Sequence, residues 1–132
     1  MDPAVMRQRV SEARVARLAT VTAEGAPHVV PCCFALADDV LYSVVDDVKP
    51  KSTQGLRRLD NIRHQPRVSL LVDHYDEHWP TLWLVRLDGT AAVVEASSAG
   101  HATGVGLLVE KYEQYRGATL DGPMITVVVD RW

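Results

Sequence analysis

Cysteine is scarce in this chain: its 132 residues hold two, Cys32 and Cys33, side by side. Adjacent thiols cannot build a disulfide framework, and neighbouring residues of a strand point to opposite faces, so a reducing, cytoplasmic setting is expected and packing is the expected role of the pair. Long apolar runs are missing as well. Nowhere do ~18 apolar residues run together, and the first residues carry charges every few positions instead of a signal-peptide core, so neither a membrane span nor secretion by that route is expected. Positive charge is not in excess. Lys+Arg 14 against Asp+Glu 17 leaves a net charge of -3, which argues against a protein that coats nucleic acid or an anionic membrane. The strings GxSxG, HExxH, CxxC and the P-loop are all absent. Chemistry therefore has to come from a bound cofactor more than from side chains alone.

What is present describes one domain over residues 1–132: 47% hydrophobic and 23% charged residues, enough to bury a core. Val5, Met6, Val10, Ala13 and Val15 fall near helical spacing behind Pro3, which predicts a short N-terminal helix. Residues 18–21 and 28–36 read as the strands of a hairpin around Gly25, and residues 40–45 as a third strand after Asp38-Asp39. Leu56, Leu59 and Ile62 predict a helix that Pro66 stops, with Ser52 or Thr53 as its cap. Residues 68–72 read as a strand, and 81–95 as two strands or one hairpin interrupted at Asp88-Gly89. A helix weakened by Gly100, Gly104 and Gly106 comes next, and residues 124–129 close the chain as a strand. The expected class is mainly β (α+β), a small barrel or sheet with short flanking helices. A doubly wound parallel sheet is not expected, because helical crossovers between the first three strands are missing.

Charge placement is uneven. Between Lys49 and Arg67 stand six of the fourteen basic residues, opposed within the segment by Asp60 alone, a local balance of about +5. A loop with Lys49 and Lys51 running into a helix start offers ammonium groups, backbone N–H groups and the positive end of the helix dipole to a phosphate; a solvated face is the other reading, and it suits Arg57, Arg58 and Arg63 better. The segment 73–78 holds two His and three carboxylates, but between two strand-like runs it reads as a polar turn and no metal site is expected. Trp83, on a strand, is expected in the core or at an interface, whereas Trp79, beside Pro80, is placed to line a pocket.

The strings Ala16-Arg17-Leu18-Ala19-Thr20-Val21, Gly25-Ala26-Pro27-His28-Val29-Val30-Pro31, Leu41-Tyr42-Ser43-Val44-Val45-Asp46, Lys49-Pro50-Lys51, Leu59-Asp60-Asn61-Ile62 and Pro66-Arg67-Val68-Ser69-Leu70 come in an order and spacing that covers almost the whole chain. Together they resemble the pyridoxamine 5'-phosphate oxidase-like split β-barrel superfamily with its FMN-binding-like fold. Asp73-x-Tyr75, Trp79, Trp83 and Arg86-x-x-Gly89 look like the actinobacterial branch of flavin/deazaflavin oxidoreductases that binds coenzyme F420. The resemblance implies an F420-dependent oxidoreductase that passes a hydride to an unidentified conjugated small molecule. It also implies a homodimer with cofactor sites at the subunit interface. By that likeness Lys49, Pro50, Lys51 and Ser52 hold the cofactor phosphate, and Val30, Pro31 and Cys32 line the ring with Tyr42 and Ser43 close by. Asn61 and Trp79 then enclose the site. FMN needs much the same phosphate contacts, so an FMN-dependent oxidoreductase is the alternative, and a non-catalytic binder of F420 or a tetrapyrrole is a further one.

Overall fold

The computed structural model describes residues 1–45 and 53–132, with side chains throughout these except at 53–55. Helix α1 (Pro3–Glu12) starts where Asp2 accepts a hydrogen bond from the Ala4 N–H at 3.0 Å, with Pro3 suited to the first helical turn. Among the described residues seven strands follow: β1 (Ala16–Val21), β2 (Pro27–Cys32), β3 (Ala35–Ala37), β4 (Val40–Val44), β5 (Arg67–His74), β6 (Trp83–Val94) and β7 (Met124–Arg131). Helix α2 (Thr53–His64) lies between β4 and β5, and α3 (Ala99–Lys111) between β6 and β7. Among the described residues no helix is long and apolar enough to cross a membrane.

All strand pairings are antiparallel, in the order β2-β1-β5-β6-β7-β4-β3. The two strands at the ends of this order are consecutive in sequence. Only Cys33 and Phe34 separate β2 from β3, so the chain itself joins the two ends of the sheet and rolls it into a split barrel. The single strand expected over 28–36 is therefore two strands and a kink. Side chains of Leu18, Leu70, Leu87 and Val127 alternate inward and are fully buried, each worth ~1.5–3 kcal/mol relative to exposure. Phe34, also fully buried, plugs this core at the kink. A second apolar cluster, with Leu108, Tyr112, Tyr115, Leu120 and Met124, lies under α3.

Two further expectations change. The segment 81–95 is not a hairpin: after a short 3-10 turn, Trp79–Thr81, the single strand β6 runs through Asp88-Gly89, where the register against β7 shifts. A Cβ on Gly89 would collide with the Val128 carbonyl oxygen and lie 2.8 Å from Val127 Cγ1. Glycine there serves the close approach of two backbones at a bulge, not a turn. Gly104 does similar work on α3, where an added Cβ would stand 2.9 Å from Tyr42 Cδ1 and 2.6 Å from Met124 Cε. The residue that lowers helix propensity is the one that lets α3 seat on β4 and β7.

Candidate functional site

The alternation of β2 sorts the residues expected around a ring. Val30 and Cys32 face the barrel core at 8% and 4% exposure, while Pro31 and Val29 face outward. Val29 is 61% exposed, and its register partner is Ala19; Pro31 pairs with Arg17, and Arg17 with Leu71. With the exposed Leu84 on β6, these positions put apolar side chains beside Arg17 and Arg86 on the outer face of the sheet. Among the described residues β2 stands at the end of the strand order, paired with β1.

The other expected site residues scatter. Tyr42 is half-buried and Ser43 buried on β4, which lies between β7 and β3 and is not paired with β2. Asn61 is 4% exposed, and its Nδ2 donates to Thr20 Oγ1 at 3.0 Å, tying α2 to β1. Trp79 stands 68% exposed on the 3-10 turn. Lys49, Pro50, Lys51 and Ser52 lie outside the described residues.

Tertiary contacts divide the basic stretch. Arg67 pairs with Asp130 at 2.6 Å, and Arg63 with Asp60 and with Glu95 at 3.9 Å, so two of its cations meet carboxylates brought from distant strands or their ends. Asp130 is held below the ordinary carboxylate range, first by the hydrogen bond from Arg67. Exposed Arg57 and half-buried Arg58 remain near the helix start. Of the segment 73–78, Asp73 and His74 end β5 and only residues 75–78 form the expected polar connection: Asp76 meets His74 at 3.0 Å and accepts from Thr81 and from the His78 N–H.

A charged and aromatic cluster at the β2–β3 kink escaped the sequence reading. Lys111 Nζ donates to the Phe34 carbonyl at 2.9 Å and stands 3.9 Å over the Phe34 ring. Tyr112 Oη accepts from the Phe34 N–H and donates to the Arg14 carbonyl. Burial, and then the charge of Arg14, press Lys111 down to about 8, while burial pushes Tyr112 up to about 12. Cys33, half-buried, lines the adjoining cavity. The string Lys111-Tyr112-Glu113-Gln114-Tyr115-Arg116 carried the signal, a run of charges and rings at a helix end.

The barrel topology finds its counterpart among known proteins. The family model described as pyridoxamine 5'-phosphate oxidase matches residues 3–128. The chain belongs to this family. Among solved structures that share the family's fold, HutZ, the heme storage protein from Vibrio cholerae, is 18% identical with a TM-score of 0.76 over 98% of this chain and 91% of its own. A FAD-binding protein from Mesorhizobium loti is 20% identical at TM-score 0.72, covering 99% and 91%. The conserved hypothetical protein Rv2991 from Mycobacterium tuberculosis is 26% identical at 0.75, covering 99% and 82%. Among curated proteins no match is found. The expected mainly β split barrel is the fold that these proteins share with this chain.

Proposed function

We propose that this family member is an F420-dependent oxidoreductase that reduces a conjugated small molecule, working as a homodimer. The observation that carries the reading is the outer face of β2. Val29 and Pro31 leave a strip of apolar surface uncovered beside Arg17, on the strand that ends the sheet order of the described residues, where a flat ring can lie and a second copy can close over it. When bound, the deazaflavin supplies the hydride. The chain's own residues have the remaining tasks. Val29 and Pro31 support one face of the ring, Lys49, Lys51 and Ser52 hold the phosphate, and exposed Trp79 excludes water from the open side. Asn61 contributes through the position of α2, since its amide is committed to Thr20. A proton for the product comes from solvent.

Fluorescence titration with F420 tests the reading: binding at about tens of micromolar is expected, and weakening by Lys51→Ala. Absence of binding in that range, or undiminished affinity in the variant, overturns it. The family match favours FMN as the second reading, which a yellow purified protein, or FMN displacing F420, would establish. If reduced F420 binds tightly yet stays unoxidised across quinones, enones and biliverdin, the chain stores the cofactor instead of using it.

A further inference from the structure

A cavity of about 700 Å³ opens where α3 ends against the β2–β3 kink, and the flavin reading gives it no task. Arg14, Lys111 and Arg116 line it, with Tyr112 and Tyr115 supplying ring surface and Glu113 the one carboxylate. Three cations therefore face one anion. Among the described residues none of the three is in an ion pair. Their hydrogen bonds go to main-chain carbonyls instead: Arg14 Nη1 to Lys111 O at 2.8 Å, Arg116 Nε and Nη2 to Val109 O and Glu110 O, and Lys111 Nζ to Phe34 O.

Three of those carbonyls belong to the last turn of α3, so the arginines answer the negative end of the helix. That end amounts to roughly half a charge, too little to balance two guanidinium groups and an ammonium. Each guanidinium has five N–H donors and the ammonium three, so donors remain for a ligand. Beside them the Tyr112 and Tyr115 rings, 6% and 3% exposed, pack edge to face at 5.6 Å and form a buried wall of the cavity, against which a planar apolar body can rest.

We propose that this cavity binds a small organic carboxylate with a flat apolar body. The carboxylate sits among Arg14, Lys111 and Arg116, and the body lies against the two tyrosines. Lys111 makes the proposal measurable. The Tyr112 ring lies 5.3 Å from its ammonium, Cys33 and Cys32 act on it through charge, and burial with the charge of Arg14 holds it at about 8. An anion placed beside it restores the ammonium, so binding just above that pH takes up a proton.

Calorimetric titration of the whole chain with benzoate, just above pH 8 and in two buffers of different ionisation enthalpy, tests this. Saturable binding at about millimolar or better is expected, with net proton uptake, no binding of benzamide, and weaker binding of inorganic phosphate. Lys111→Met should abolish the proton uptake and weaken benzoate about tenfold. Arg116→Gln, which leaves the Phe34 contact in place, should weaken it without removing the uptake. Benzamide binding as well as benzoate, phosphate binding as tightly, binding without proton uptake in the wild type, or no benzoate binding at all would each overturn the proposal. The F420 titration reads a different site, so failure of one leaves the other standing.

Discussion

Lys111 and Phe34 are joined twice, by a 2.9 Å hydrogen bond from the ammonium to the carbonyl oxygen and by the ammonium standing 3.9 Å over the ring. Phe34 sits at the kink that turns β2 into β3, and so at the point where the sheet's two ends are joined. The last residue of α3 thereby holds the closure of the barrel.

Alkaline titration of stability should carry the mark of this arrangement. Lys111 is lowered from 10.5 to about 8, so between those values the unfolded chain binds the extra proton and stability rises with pH. Tyr112 is raised from 10.0 to about 12, so above pH 10 the unfolded chain loses its proton first and stability falls. Denaturant midpoints measured from pH 7 to 11 should climb and then drop. Lys111→Met should remove the climb and Tyr112→Phe should reduce the drop; unchanged slopes in both variants would refute the assignment.

Gly89 is required by a backbone contact. Any Cβ there meets the Val128 carbonyl across the β6–β7 bulge, so Gly89→Ala should cost ~1–3 kcal/mol in urea unfolding. Gly106, with nothing near its added Cβ, should tolerate alanine, and with Gly106→Ala even gain up to ~1 kcal/mol.

The buried bond between Asn61 and Thr20 predicts coupling. Asn61→Ala leaves Thr20 at 1% exposure without this donor, and should destabilise by ~1–3 kcal/mol, whereas adding Thr20→Val should recover part of the loss. A double-mutant cycle followed by thermal denaturation reads the coupling directly.

Arg67 and Lys51 should part company in cofactor binding. Arg67 is paired with Asp130, so Arg67→Gln should leave F420 affinity unchanged, while Lys51→Ala weakens it. Equal losses in the two fluorescence titrations would add Arg67 to the phosphate site.

The outer sheet face predicts its own test. Val29→Asp places a charge on the exposed apolar strip and should give monomers in sedimentation, with intact circular dichroism, if a second copy covers β2.

Much of the architecture was legible locally. The spacing of Leu56, Leu59 and Ile62 gave α2, and the β-branched runs gave the strands within a few residues, because side-chain periodicity is a property of neighbouring positions. Gly89 misled, since a glycine required by a strand across the bulge looks in sequence like a glycine required by a turn. The candidate site was legible as a set of strings, but not as a place. Asn61 turned inward to Thr20, and Tyr42 and Ser43 came to rest away from β2 in the sheet order.

Composition and pattern by themselves determined the mainly β class and an adjacent pair of thiols, one buried and one half-buried, that cannot build a disulfide framework. Tertiary structure alone decided which charges are free to act. Arg63 and Arg67 stood as two of the six basic residues in one stretch until Glu95 and Asp130 reached them. Lys111, ordinary in sequence, became the cation that burial and Arg14 set apart. The physical reason is distance: a charge is neutralised or strained by whatever the fold brings within a few ångströms, and that neighbour can lie dozens of residues away.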